Sequence, residues 1–238
     1  MRTTAIAAFL ALTLGASAHA SEGKLDYDHQ ERWQGALDHA QSPIDIVTAQ
    51  AEQARADEPL GLQLWHTLAP IDKAEDNGHA VQIDTHATEA MIRGRHFSLT
   101  QFHFHAESEH TLDGKHYPLE GHFVFKAQDG RLAVIGVMYQ VGAANPAVQA
   151  VIDDLDAKDG RLPQPSVDVA DLMPERLEYY HYLGSLTTPP LTENVEWYVL
   201  PNPVTMSKAQ MDALLQHYRR NNRNVQPLNG RPVLHYRG

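Results

Sequence analysis

The 238-residue sequence contains no cysteine. This absence excludes thiolate catalysis, disulfide bonds and every metal site that depends on cysteine ligands. It is unusual for a chain that is exported, because disulfides are permitted in oxidising compartments. Any metal must therefore be held by other side chains.

Basic residues are scarce relative to acidic ones. The chain has 19 Lys and Arg residues against 30 Asp and Glu residues, which gives a formal net charge of −11. Nucleic acids and anionic membranes attract basic surfaces, so an acidic chain argues against both as partners. The sequence does not give the oligomeric state, so a homodimer stays open.

Long apolar runs are limited to the start of the chain. Arg2 precedes an almost wholly apolar stretch over residues 5–18, and Ala18-His19-Ala20 forms a small-x-small pattern. This layout predicts a secretory signal peptide over residues 1–20, cleaved after Ala20. A membrane anchor fits less well, because about 20 apolar residues are needed to span a bilayer. The mature chain is expected to be periplasmic or secreted, and periplasmic if the source is Gram-negative.

Internal repeats and Gly/Ser linkers are absent, which favours one domain over residues 21–238. Short apolar segments separated by turn residues predict strands. The predicted strands are Val81–Thr85, His96–His105, Leu119–Lys126, Leu132–Val141, Tyr179–Leu183 and Val195–Leu200. The fourth is apolar on both faces and should lie deep in a sheet.

Only two helices are predicted. Asn145-Pro146 is a cap and first-turn pair, and Ser207 with Gln210 is a capping-box signature. Two helices among many strands predict a β-dominated α+β fold, with short peripheral helices around one large sheet.

The segment "QFHFHAESEH" (101–110) carries the most specific chemistry. On a strand, residues i and i+2 share a face, so His103 and His105 converge while Phe102 and Phe104 point to the other side. His122 can face them from the next strand, across an antiparallel pair. Three imidazole nitrogens with a fourth position left for water are typical of a catalytic zinc site.

Two polar residues have the offset of partners for these imidazoles. Gln101 lies two residues before His103, and Glu120 lies two residues before His122. A metal-binding imidazole needs its other nitrogen hydrogen-bonded, which fixes tautomer and orientation. Two alternatives remain at this point: a polar strand face with unrelated histidines, and a cupin-like site. In the latter, His103-x-His105-x3-Glu109 would bind iron or manganese through the carboxylate.

Six segments, spread in order over nearly the whole mature chain, resemble α-class carbonic anhydrases, bacterial and exported members included. They are "QSPIDI" (41–46), "NGHAVQI" (77–83), "QFHFHAESEHTLDGKHYPLEGHFVF" (101–125), "LAVIGV" (132–137), "YLGSLTTPPLTENVEWYVL" (182–200) and "NNRNVQPLNGRPV" (221–233). The resemblance implies a single domain around a large, mostly antiparallel, twisted β-sheet. It also implies a carbonate dehydratase that hydrates CO2 reversibly by attack of zinc-bound hydroxide.

The resemblance assigns a role to each matching position. It implies Zn²⁺ on His103, His105 and His122. The Thr187 hydroxyl would accept a hydrogen bond from the zinc-bound hydroxide and donate its own hydrogen to Glu109. Glu109 would then not be a metal ligand. His79 would be the proton shuttle, a role suited to a histidine pKa near 6.5. Asn221 would orient His105, and His110 would be structural. The substrate wall falls on Val124, Val134, Leu186, Thr188 and Trp197, and the water network falls on Tyr27 and Gln82.

The sequence departs from the family pattern in three places. Leu25-Asp26-Tyr27 occupies the position where the family has an aromatic-glycine-tyrosine segment. Gln82 replaces the asparagine that is common at its position. The cysteine pair of many bacterial members is replaced by Ala40 and Leu191. Some relatives have lost zinc ligands and act as binding or storage proteins, but here the histidines, Glu109 and Thr187 are all present.

Overall fold

The structure is a computed structural model that describes residues 25–33, 35, 37–54, 61–76, 79–157, 165–217 and 220–237. The predicted signal peptide lies outside these residues. No helix within the described part of the chain is long and apolar enough to cross a membrane.

A 12-stranded sheet forms the body of the protein, and a separate two-stranded pair joins β1 and β8. The strands are β1 (Asp45–Ile46), β2 (Glu52–Gln53), β3 (Leu62–Trp65), β4 (Leu68–Asp76), β5 (Val81–Thr85), β6 (Glu89–Ile92), β7 (Arg95–His105), β8 (Thr111–Leu112), β9 (Leu119–Lys126), β10 (Leu132–Val141), β11 (Ser166–Asp168), β12 (Tyr179–Ser185), β13 (Glu193–Met206) and β14 (Leu234–Tyr236). The main path runs β11-β4-β5-β7-β9-β10-β13-β12-β14-β2, and β3 joins it through β6, which pairs with β7.

The sheet is mixed rather than purely antiparallel. Within it, β10 pairs with β13 and β14 pairs with β2 in parallel, while the other pairs are antiparallel. The prediction of a mostly antiparallel, β-dominated fold is therefore confirmed, with those two exceptions. The parallel pairing of β10 with β13 brings together residues about 60 positions apart, which hydrophobic pattern alone does not reveal.

Three of the predicted strands have the predicted bounds, and the rest are longer. β5, β9 and β10 match residue for residue, β7 begins one residue earlier, and β12 and β13 extend further. β10 lies between β9 and β13 and is almost wholly buried, as its two-sided apolar pattern predicted.

Both predicted helices form where their caps indicated. The first, α1 (Pro146–Asp156), is capped by Asn145, whose side chain accepts from the amides of residues 147 and 148. The second, α2 (Lys208–Leu215), has a complete capping box between Ser207 and Gln210. Gln210 also joins the helices, because its Nε2 donates to the carbonyl of Asn145 at 2.7 Å. Single turns of 3-10 helix occur at Gln30–Arg32, Thr48–Gln50 and Val169–Leu172.

Two hydrophobic clusters lie in the core, and the larger one fixes the helices to the sheet. It contains Phe102, Phe104 and the buried faces of α1 and α2. The smaller cluster is built around Val134 and Trp197. Because successive side chains alternate across a strand, anchoring Phe102 and Phe104 directs His103 and His105 to the face opposite the helices.

Candidate metal centre

Three histidines from two neighbouring strands converge on one point. His103 and His105 come from β7 and His122 from β9, and His103 lies directly opposite His122 in the register of the pair. One ring nitrogen from each can be chosen so that all three lie within 4.8 Å of one another. His105 and His122 are buried and His103 is half-buried.

In each imidazole, the nitrogen that points away from this shared point lies near a protein oxygen. His103 Nδ1 lies 2.8 Å from Gln101 Oε1, and His105 Nδ1 lies 2.7 Å from the backbone carbonyl oxygen of Asn221. A proton on each Nδ1 leaves the lone pair on Nε2. Nε2 of His105 is buried and has no hydrogen-bond partner among the described residues, as expected of a nitrogen that faces a metal position.

The two ring nitrogens of His122 have the opposite roles. Its Nε2 lies 3.0 Å from Glu120 Oε1, although the N–H is not aligned well enough to count as a hydrogen bond. Nδ1 is the nitrogen left for a metal. The same Glu120 oxygen accepts from His110 Nδ1 at 2.7 Å, and its second oxygen accepts from the His110 amide. His110, Glu120 and His122 also form a donor cluster, but there the carboxylate is already occupied by His110.

Burial and charge set the protonation of the triad. Burial lowers the pKa of His103 and His105, which favours the neutral imidazole that a metal requires. Burial acts in the same direction on His122, but the Glu120 carboxylate outweighs it and raises the pKa of that imidazole. Glu120 itself is held ionised, because His110 and His122 keep its pKa well below the usual range despite burial.

Glu109 lies beside the triad but is not one of the clustered donors. Its Oε1 accepts from the backbone N–H of Arg223 at 2.7 Å and lies 3.5 Å from His105 Nδ1. Oε2 is buried without a hydrogen-bond partner among the described residues. This arrangement does not support the cupin alternative, in which Glu109 would be a metal ligand.

Thr187 is buried just after β12, next to Thr188 and Pro189. The hydrogen bond from Thr187 to Glu109 that the resemblance implies is not formed in the described part of the chain. Oε2 of Glu109 is the acceptor that such a bond would need. Thr188 and Pro189 line the cavity over the histidines.

A cavity of about 190 Å³ opens over the triad. Its lining residues are Leu25, Tyr27, His79, Ala80, Gln82, Gln101, His103, His105, Thr188 and Pro189. The predicted shuttle and water-network residues therefore share one space with two of the three histidines. His79 is half-buried, and its Nδ1 accepts from the amide of Leu25 at 3.2 Å.

The two predicted water-network residues differ in their surroundings. Tyr27 is buried against Trp33, its hydroxyl has no hydrogen-bond partner among the described residues, and burial raises the pKa of that hydroxyl. Gln82 lies opposite His103 on β5 and donates from Nε2 to Asp84 Oδ1 at 2.7 Å.

The predicted apolar wall is one cluster behind His122. Val134 and Trp197 are buried, and Val124 and Leu186 pack against them. The Trp197 ring centroid lies 4.8 Å from that of His122, and the indole donates to the carbonyl of Ser185 at 2.9 Å. These four residues are not among those that line the cavity described above.

The sequence analysis named Asn221 as the partner of His105, but it did not reveal the other contacts of Asn221 or the contact between Arg223 and Glu109. The side chain of Asn221 accepts from the Ala106 amide and donates to the carbonyls of His79 and Phe104. Arg223 holds Glu109 through its backbone. Both lie in the quoted segment "NNRNVQPLNGRPV", but contacts made by backbone atoms leave no signal in residue type.

Comparisons with known proteins found the following similarities. The profile of the family described as "Eukaryotic-type carbonic anhydrase" matches residues 27–237. A carbonic anhydrase of Pectobacterium atrosepticum is 44% identical over 203 residues, covering 82% of this chain and 79% of the relative. Among solved structures, the α-carbonic anhydrase of Thermovibrio ammonificans, in complex with the inhibitor sulfanilamide, aligns with a TM-score of 0.72 and 38% identity, covering 82% of this chain and 87% of that one. Dioscorin complexed with ascorbate aligns with a TM-score of 0.72 and 28% identity, covering 83% and 86%.

Proposed function

The chain belongs to the eukaryotic-type, or α-class, carbonic anhydrase family and is a carbonate dehydratase, and from this premise we propose that it works as a zinc enzyme. The reaction is CO2 + H2O ⇌ HCO3⁻ + H⁺. The observation that carries the zinc proposal is the convergence of His103, His105 and His122 within 4.8 Å. Each offers one nitrogen to that point and turns the other to a protein oxygen.

The donor set fits zinc and a catalytic role. Three imidazoles without a fourth protein ligand are typical of sites that keep one position for water or substrate. Zinc, when bound, supplies a hydroxide nucleophile near neutral pH, because it lowers the pKa of a coordinated water to about 7, the value already established for carbonic anhydrases. Gln101, Glu120 and the Asn221 carbonyl hold the three rings in the orientation that this requires.

Glu109 and Thr187 would set the direction of attack. Oε1 of Glu109 is occupied by the Arg223 amide, and Oε2 is buried without a hydrogen-bond partner in the described chain. We assign Oε2 as the acceptor of the Thr187 hydroxyl proton. The Thr187 oxygen would then have only lone pairs to offer, so it would accept from the attacking hydroxide and turn it toward CO2.

His79 is proposed to carry the released proton to buffer. It lines the cavity together with His103 and His105, and it is half-buried, so it has access to both the site and solvent. Tyr27 and Gln82 line the same cavity and would order the intervening water. A histidine changes its charge between pH 5 and 8, which suits this step.

CO2 is small and apolar, so it needs an apolar surface rather than hydrogen-bond donors. The cluster of Val124, Val134, Leu186 and Trp197 offers one beside His122, and Thr188 would face the substrate from the cavity. A ligand-binding role, as in the dioscorin complex with ascorbate, is the second candidate. The presence of all three histidines favours the enzyme function over a ligand-binding role.

Export is also proposed, with residues 1–20 as the signal peptide. It is supported by the sequence pattern of those residues alone. N-terminal sequencing of the protein from a periplasmic fraction should begin at Ser21, and retention of residues 1–20 would contradict the proposal.

The zinc proposal is tested by metal analysis and a CO2-hydration assay on three proteins. The wild type should hold one zinc and hydrate CO2, and His122→Ala should lose both properties. His96→Ala is the matched control, because His96 lies on the same strand as two ligands but is exposed and stacks on Trp65. It should keep both. A wild type that holds zinc without hydrating CO2, or that requires iron or manganese, would contradict the proposal.

A further inference from the structure

We propose that Arg223 and Gln41 form a brace that positions Glu109 relative to the loop carrying Thr187. Glu109 comes from the segment after β7, Arg223 from the chain near the C-terminus, and Gln41 from the segment before β1. The inference rests on the proposed function of Glu109 and Thr187. It adds two positioning residues that do not themselves touch substrate.

The first joint of the brace fixes one carboxylate oxygen. The backbone N–H of Arg223 donates to Glu109 Oε1 at 2.7 Å, and both residues are buried. A buried carboxylate with one oxygen held in this way can rotate little. The joint therefore determines that Oε2, rather than Oε1, is the oxygen left for Thr187.

The second joint fixes Arg223. A single guanidinium nitrogen, Nη1, donates to Gln41 Oε1 at 2.9 Å and to the carbonyl of Ser42 at 2.6 Å. Both acceptors are neutral, and within the described part of the chain no carboxylate forms an ion pair with Arg223. The cation interacts electrostatically with Glu109. Burying a charge is costly unless it is hydrogen-bonded, so the guanidinium keeps the two segments together.

The third joint reaches the threonine loop. Gln41 Nε2 lies within hydrogen-bond distance of the carbonyls of Leu191, at 3.2 Å, and Leu37, at 3.1 Å, and of Glu193 Oε1, at 3.1 Å. The amide of Leu191 donates to the carbonyl of Thr188 at 2.9 Å. Gln41 is 5% exposed, so water does not compete for its amide. Side chain and backbone thus form one continuous path from Glu109 through Arg223 and Gln41 to the residue after Thr187.

Arg231 provides a matched control for this path. Its guanidinium also donates to backbone carbonyls, those of Leu183, Gln41, Pro227 and Leu228, and it lies over the Tyr182 ring at 5.5 Å. It touches the same segment through the Gln41 carbonyl, but it contacts neither Glu109 nor the loop over residues 187–191. Loss of Arg231 should destabilise the protein without moving Glu109 relative to Thr187.

The test compares Arg223→Gln, Gln41→Met, their double variant and Arg231→Gln, all as zinc-loaded full-length protein. Zinc content and melting temperature are measured together with kcat and KM for CO2 hydration. The brace predicts that each of the two single variants keeps its zinc and its KM but loses roughly 10- to 100-fold in kcat, as for other misplaced catalytic groups. The double variant should be no slower than the slower single variant, because both changes break one path. Arg231→Gln should retain the wild-type kcat.

A second readout is independent of catalysis. Hydrogen exchange at the amides of Arg223 and Leu191 reports the first and third joints. Gln41→Met should speed exchange at the distant Arg223 amide, and Arg223→Gln should speed it at Leu191, whereas Arg231→Gln should change neither. Additive losses of kcat, equal losses in the Arg231 variant, or unchanged exchange across the path would overturn the brace. If the Arg223 variant does not fold, Gln41→Met carries both readouts. Absence of hydration in the zinc-loaded wild type would refute the proposed function instead, and the exchange data would still test the brace.

Discussion

His103 lies directly opposite His122 in the antiparallel pair of β7 and β9. The ring centroids of the two are 5.3 Å apart, and His105 is two residues further along the same face of β7. A site on adjacent strands is held by the hydrogen-bond ladder and by Phe102 and Phe104 packed beneath it. The rings are thus positioned by the folded sheet, which reduces the ordering that metal binding must bring about.

The proposed role of His79 as proton shuttle is tested with His79→Ala. The variant should turn over CO2 at least about tenfold more slowly in dilute buffer, since a positioned proton-transfer group contributes on the order of 10²- to 10⁴-fold and buffer replaces part of it. Added imidazole should restore the rate. Stopped-flow measurement across a buffer series checks this result.

His86→Ala is the control for that experiment. His86 is exposed and pairs with Asp72 at 2.6 Å, away from the cavity. It should behave as the wild type. Identical buffer dependence in His79→Ala and the wild type would show that the shuttle is assigned to the wrong residue.

Stability should depend on the buried network behind the triad. His110 Nε2 lies 2.6 Å from the Tyr182 hydroxyl, and His110 Nδ1 lies 2.7 Å from Glu120. His110→Ala removes a partner from a buried carboxylate, so we expect a loss of about 3 kcal/mol in the free energy of unfolding, measured in urea.

Tyr182→Phe is the graded control for the network. It removes only the hydroxyl, which also bonds Ser42 Oγ at 2.8 Å, and it should cost about 1–2 kcal/mol. Equal losses in the two variants would mean that the His110–Glu120 contact contributes nothing of its own.

The sequence predicted which side chains share a strand face, but it did not predict the contacts between distant segments. The period-two pattern of β7 and β9 fixed which side chains share a face, so the triad, Gln101 and Glu120 could be predicted. The acceptor for His105 is a backbone carbonyl, that of Asn221, and its residue type carries no information about it. Arg223 and Gln41 lie 182 positions apart and meet only after folding.

Acid should weaken the attachment of β14 to the sheet. Burial alone would raise the pKa of Glu178, but hydrogen bonds from His235, at 2.7 Å, and Asn202 outweigh it and lower that pKa. A carboxyl whose pKa is lower in the folded state stabilises the fold above its unfolded pKa and loses that contribution as pH falls through the folded pKa.

The melting temperature of the wild type should therefore exceed that of Glu178→Gln at pH 7, and the difference should shrink from about pH 5 to about pH 3. Glu89→Gln, at an exposed position on β6, is the control and should show no such difference. A difference in melting temperature between the wild type and Glu178→Gln that stays constant or increases on acidification would contradict this interaction.

The central claim is that the histidine triad holds the zinc on which CO2 hydration depends. The most direct measurement is stopped-flow CO2 hydration by the wild-type protein before chelation, after removal of the metal, and after return of one equivalent of zinc. The account predicts that activity is lost with the metal and restored by zinc, in proportion to the zinc bound. Undiminished hydration by the metal-free protein, or no hydration by the zinc-loaded one, would contradict it.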